Sequence, residues 1–168
     1  MKIAGAYSLP LPRERAYALL QDPVILAKCM PGCEGLDRTG EGEYTMRMKM
    51  VIASVSGQFA GRVVIADPEP PAGFRMVVEG AGRIGFMKGE GRISLADSVA
   101  ATAVSYEGDV QVGGVIANVG QRLIETTAKM LIKRFFERLT TQAAAAAQAA
   151  LGAAAEALPA EPPPPAVN

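Results

Sequence analysis

The stretch EYTMRMKMVI, residues 43–52, sorts its side chains by parity: Tyr44, Met46, Met48, Met50 and Ile52 fall on one face, Thr45, Arg47 and Lys49 on the other. Successive residues of a β-strand point to opposite faces, so this is a strand with one apolar and one solvated side. The same period of two continues through GQFAGRVVIA (57–66), GFRMVVEG (73–80), GFMKGEGRISL (85–95) and ATAVSYEGDVQV (101–112), with Gly, Pro or Asp at the breaks. These segments read as successive antiparallel strands. Their apolar faces carry Phe59, Gly61, Val63 and Ile65; Phe74, Met76, Val78 and Gly80; Met87, Gly89, Gly91, Ile93 and Leu95; Thr102, Val104, Tyr106, Gly108 and Val110. No Asp, Glu, Lys or Arg falls on the inner face of any of the five.

Upstream, residues 3–9 alternate like another strand, and a Leu-Pro-Leu-Pro break leads into RERAYALLQ, a short helix with Ala16, Leu19 and Leu20 on one side. Asp22 before Pro23 is an N-cap with proline at the first helical position, so PVILAKC forms a second short helix that ends at the Pro31-Gly32 turn. Downstream of Gly113-Gly114 the period becomes helical. Ile116, Val119, Leu123, Thr127, Met130, Leu131, Phe135 and Leu139 make a stripe on a helix running to about residue 141. A strand, two short helices, a run of antiparallel strands and one long helix give an α+β fold, with a curved sheet wrapped around the C-terminal helix as a grip. The domain spans 1–141. Residues 142–168, alanine-rich and then proline-rich, read as a low-complexity tail: a partly helical extension with a flexible arm, too poor in strongly apolar residues to cross a bilayer.

The inner face admits two readings. Methionines and glycines on a bent sheet suit an ordinary core. The same residues suit a pocket for an apolar ligand, in which thioethers adapt to a ring or tail, glycines leave volume and tyrosines bond a polar head. A catalytic pocket ranks behind both, because inward tyrosines without a base or a metal ligand supply little acid–base power.

Composition narrows the classes further. The 168 residues are 49% hydrophobic and carry 17 basic and 17 acidic side chains, a balance that offers no electrostatic footprint for nucleic acid. No basic and apolar leader is expected at the start, which points to the cytoplasm. The chain contains no histidine, so the commonest general base and metal ligand are both missing. Cys29 and Cys33, the two cysteines, bracket Met-Pro-Gly; with no third thiol and no imidazole they cannot complete a zinc site, and they read as a turn corner rather than a redox pair. GAGRIG at 80–85 matches a dinucleotide-binding glycine pattern literally. It leads into a strand instead of a helix, so it is a hairpin turn. Lys133, Arg134 and Arg138 lie where they suit the negative end of the long helix.

LLQDPVILAKCMPGCEGL, GQFAGRVVIADPEPP, GAGRIGFMKGEGRISL and YEGDVQVGGVIANVGQRLIETTAKMLIKRFFERL occur in that order, and together they resemble the CoxG family, the G subunits of carbon monoxide dehydrogenase, within the START/SRPBCC superfamily. The resemblance covers residues 1–141; Tyr17 stands where the family pattern has tryptophan and Met30 where it has isoleucine. It implies a helix-grip fold. It also implies an accessory, non-enzymatic role beside a molybdenum hydroxylase of the carbon monoxide dehydrogenase type, carriage of an isoprenoid quinone (menaquinone or ubiquinone), and peripheral membrane contact through the C-terminal tail. Joined to the parity pattern, it places the quinone between sheet and helix. Tyr44 or Tyr106 would meet the ring, Met46, Met48, Phe59, Phe74, Met76 and Met87 would line the tail path, and Val119 and Leu123 would close it from the helix. Two other readings stay open: a recruitment or maturation factor that holds no ligand, and an enzyme acting on an apolar substrate.

Overall fold

A computed structural model describes residues 1–157. In chain order its elements are β1 (Lys2–Leu9), α1 (Arg13–Leu19), α2 (Pro23–Cys29), β2 (Cys33–Gly40), β3 (Glu43–Ile52), β4 (Val55–Glu69), β5 (Gly73–Gly82), β6 (Gly85–Ser98), β7 (Ala101–Gly113), a 3-10 turn (Val115–Val119) and α3 (Gln121–Ala157). The seven strands form one antiparallel sheet in the order β1-β7-β6-β5-β4-β3-β2. This is the α+β helix-grip architecture that the alternating segments call for.

Strand parity is clearest on β3 and β6. On β3, Tyr44, Met46, Met48 and Ile52 are buried while Thr45, Arg47 and Lys49 are exposed. The outer face instead holds ion pairs, Arg75 with Asp67 and Glu90, Arg92 with Glu69, and Arg62 with Glu79. The register sets inner residues in rows across the strands: Met46, Gly61, Gly80, Met87 and Val112 in one, Tyr44, Val63, Val78, Gly89 and Val110 in the next, and Ile65, Met76, Gly91 and Gly108 in the one after. A Cβ on Gly108 would sit 2.6 Å from the Glu90 carbonyl oxygen, so the strands approach there more closely than a larger residue allows, and the sheet bends. At α2, the Asp22 carboxylate accepts from the Val24 amide at 3.0 Å, the cap that the Asp-Pro pair predicts.

Four features depart from the sequence reading. β2 is an additional strand: CEGLDRTG has a single large apolar residue, Leu36, and its pairing with β3 shifts register twice, so no alternation marks it. The terminal helix does not run continuously from Ile116, because Gly120 at φ 99° separates the 3-10 turn from α3. Within α3 the buried stripe is Thr127, Phe136, Leu139 and Ala143 with Ile124, Leu131 and Ile132 beside it, so Thr127, Leu131 and Leu139 keep the expected side. Leu123 and Met130, placed inward by the uninterrupted stripe, are 38% and 41% exposed. Finally, nothing interrupts the helix near residue 141. Ala143 is fully buried, Ala147 packs on the core, and Arg15 donates to the Ala146 carbonyl at 3.3 Å. The proline-rich arm expected at 158–168 lies outside the described residues.

Candidate functional site

The grip opens at the end of the sheet where β7 leads into the 3-10 turn. β1 pairs with β7 from Leu9↔Thr102 to Lys2↔Asp109, and Met1 adds a last backbone pair with Val110. Val112, two residues on, lies on the same edge of β7 and borders a gap. The 3-10 turn and the first turns of α3 form the far side. The gap is a cavity of about 460 Å³ lined by Met1, Phe86, Val110, Gln111, Val112, Ala117, Gln121 and Ile124. It continues inward to a chamber of about 70 Å³ that shares Met1, Phe86, Val110, Val112 and Ile124 and adds Met50, Ile52, Phe59, Met87, Ile116, Thr127, Ala128 and Leu131.

Of the ten residues expected to line a ligand path, Phe59 and Met87 reach this chamber. Val119 packs behind it on the Ile52, Phe59 and Ile116 cluster. Tyr44, Met46 and Met48 form a separate packed cluster with Val63, against which Met76 also lies. The Tyr44 hydroxyl donates to the Gln21 carbonyl at 3.5 Å, so it serves the α1–α2 corner. Phe74 lies deep in the main core, edge-on to Tyr17 at 5.8 Å. Tyr106 stacks with Phe136 and Tyr7, whose ring centroids lie 6.0 and 6.4 Å away; burial, followed by the neighbouring Tyr7, pushes its phenol pKa up. Neither tyrosine lines either cavity, and Leu123 sits on the outer surface. Parity had already put Met50, Ile52 and Val110 on the inner face. What it cannot supply is position along the strand, and the cavity belongs to the end where β7 meets the 3-10 turn.

The chamber wall is almost wholly apolar, Thr127 being the one polar residue on it, and no titratable side chain borders it. Among the described residues no three His, Cys, Asp or Glu side chains gather as a metal site. Cys29 is fully buried and its thiol pKa is raised by burial, against smaller opposing effects of Arg138 and Lys28; both cysteines are free, and the Cys33 thiol donates to the Gly35 carbonyl at 3.5 Å. They occupy the α2–β2 corner, away from the cavity.

The rim is apolar and basic. Val51, Phe86, Val115 and Leu123 are 61%, 44%, 53% and 38% exposed, in the three segments 50–57, 80–87 and 111–124 that meet at this end. Arg83 and Arg122 are the only charged side chains in those segments. The turns at the opposite end, by contrast, carry Glu41, Asp67, Glu69 and Asp97.

The sequence profile of the G subunit of carbon monoxide dehydrogenase (CoxG) matches residues 5–144, which is most of the chain. The protein belongs to the CoxG family. A conserved protein from Geobacillus kaustophilus shares 33% identity and superposes with a TM-score of 0.82, over 86% of this chain and 95% of that one. Two more distant structures share the fold. A START superfamily protein from Mycobacterium smegmatis is 13% identical at TM-score 0.64, over 84% of this chain and 96% of that one. The Zhui aromatase/cyclase from Streptomyces sp. R1128 is 13% identical at TM-score 0.61, over 85% and 93%. No curated protein matches the sequence. The CoxG match thus reaches three residues past the boundary drawn at 141, in keeping with the buried Ala143.

Proposed function

We propose that this protein is a non-catalytic accessory subunit of a carbon monoxide dehydrogenase-type molybdenum hydroxylase, that it holds an isoprenoid quinone, menaquinone or ubiquinone, in the end cavity, and that it links the enzyme to the membrane respiratory chain. The observation that carries the ligand is the cavity itself. About 460 Å³ falls within the ~300–1,000 Å³ range of small-molecule sites, and it leads into an apolar chamber bordered by adaptable thioethers. A chamber without an acid, a base or a nucleophile offers little chemistry, which supports carriage over turnover even though one structural neighbour is a cyclase. The membrane link is supported by the rim: exposed aliphatic and aromatic side chains with two arginines and no carboxylate suit an anionic lipid surface. The helix packs on the domain as far as Ala147, so the rim, rather than the tail alone, is the surface we assign to the bilayer. No helix among the described residues is long and apolar enough to cross it.

Solvent extraction of the native protein followed by mass spectrometry should release a quinone, and added quinone should raise the Tm. An empty extract together with an unchanged Tm sinks the carrier reading. It would favour a ligand-free recruitment or maturation factor, the second reading, which draws on the small volume of the inner chamber.

A further inference from the structure

The end cavity changes character with depth. Its outer part, about 460 Å³, has Gln111 and Gln121 on the wall among apolar residues, whereas the inner chamber, about 70 Å³, has neither and is almost wholly apolar. Met1, Phe86, Val110, Val112 and Ile124 border both and form the neck between them. At the mouth the charged side chains of the three rim segments are the exposed Arg83 and Arg122; Glu125, just beyond them, is ion-paired with Lys129 at 3.2 Å. A small void walled by Met50, Ile52, Phe59, Met87 and Leu131 offers too few polar partners to hold a water, and its walls forgo contacts until an apolar group fills it. An oxygen pushed into such a space gives up its water and gains little in return, a cost it escapes in the outer part.

We infer that the cavity takes its ligand hydrocarbon edge first: the chamber holds a bare apolar edge, and the oxygens, with any chain attached beside them, stay in the outer cavity facing the mouth. The ligand class follows as an amphipathic molecule whose oxygens, neutral or anionic, are gathered at one end; Arg83 and Arg122 disfavour a cationic one. A quinone held this way turns its carbonyl-bearing ring outward. Its tail then leaves across the exposed Val51, Phe86 and Val115 instead of running inward along the sheet. That application to a quinone rests on the carrier reading above; the orientation does not.

The test uses the full chain with two neutral isomers, 2-(hydroxymethyl)-1,4-naphthoquinone and 6-(hydroxymethyl)-1,4-naphthoquinone. They differ only in whether the hydroxyl sits on the carbonyl-bearing ring or on the hydrocarbon edge. The first should bind like menadione, and the second about tenfold or more weakly, the effect of one hydroxyl buried without a partner. Ala128→Leu fills the chamber, so both isomers should bind it weakly and the gap between them should close to about twofold. The infrared carbonyl band of bound menadione should lie nearer its position in an alcohol than in hexane. Equal affinities in wild type, tighter binding of the second isomer, or binding of neither overturns the orientation. A gap that persists in Ala128→Leu, or a hexane-like carbonyl band, overturns it as well. If the native protein yields no quinone on extraction while the isomers are still told apart, the carrier reading falls and the orientation stands; a quinone in the extract with equal isomer affinities gives the reverse.

Discussion

Met1 and Val110 exchange both of their backbone hydrogen bonds, at 3.1 and 2.8 Å, while β7 stays paired with β6 as far as Gly113. Both residues of this pair line the outer cavity, so the β1 edge of the sheet is one wall of its mouth.

Filling the chamber should separate stability from uptake. Ala128 lines it from α3, and Ala128→Leu adds apolar volume to a space that otherwise lacks contacts. We expect the ligand-free protein to gain about 0.5–1 kcal/mol, as cavity-filling changes commonly do, and menadione binding to fall by about tenfold or more. Urea unfolding and titration of the probe read the two effects. A variant that is stabilised yet binds normally would move the ligand out of the chamber.

Tyr106 makes the opposite prediction. It lies in the aromatic stack with Phe136 and Tyr7, not in either cavity, so Tyr106→Phe should leave ligand uptake unchanged, whereas Phe136→Ala, which removes a 5% exposed ring, should cost about 3–5 kcal/mol. Burial raises the folded-state pKa of Tyr106 above its ordinary value of 10.0. The folded protein therefore holds this proton more tightly than the unfolded chain does. Its contribution is complete below pH 10 and is lost as pH rises from there through the folded-state pKa. Urea midpoints of wild type and Tyr106→Phe measured from neutral to alkaline pH should diverge only above about pH 10, with the variant declining less. Parallel curves would show that the phenol is not held neutral by the fold.

How much of this was readable in the residues depends on the scale asked about. Alternation from Tyr44 to Ile52 and its repetition through Val110 placed the sheet and its inner face, because a period of two leaves little freedom once charges must face water. The Asp22-Pro23 cap located α2 to the residue. The site was less legible: Met46 and Met87 stand on one row of the sheet, yet Met87 borders the chamber and Met46 is packed solid. The difference is set by how the 3-10 turn and α3 lie across the row, which parity does not encode. Leu123 failed for a local reason. It stands in the first turn of α3, at the rim, one turn before Thr127 and Leu131 reach the chamber wall.

The rim should behave as a lipid-facing surface. Arg83→Gln and Arg122→Gln should each weaken partition onto phosphatidylglycerol vesicles about fivefold, the equivalent of ~1 kcal/mol per cation, and should do little on phosphatidylcholine. Phe86→Ser with Val115→Ser should reduce partition about tenfold on either. Because Phe86 and Val115 are 44% and 53% exposed, the fold should survive, which the Tm checks. Co-sedimentation that ignores all four substitutions would assign vesicle binding elsewhere, the tail being the first candidate.

The helix beyond residue 141 is tied to the domain at Ala143, fully buried against the main core, and at Ala146, whose carbonyl accepts from Arg15. Alanine is required there because the small side chain lets α3 lie close, and a carboxylate would be buried without a partner. Ala143→Asp should therefore cost about 3 kcal/mol or more, while Ala149→Asp, on the exposed side, should cost well under 1 kcal/mol. A chain truncated after Thr141 should show a lowered Tm for the same reason, since it loses Ala143 and leaves the core apolar surface beneath it open to water. Differential scanning calorimetry of the three proteins decides it: equal Tm values for Ala143→Asp and Ala149→Asp would mean that the last turns of α3 do not contribute to the fold.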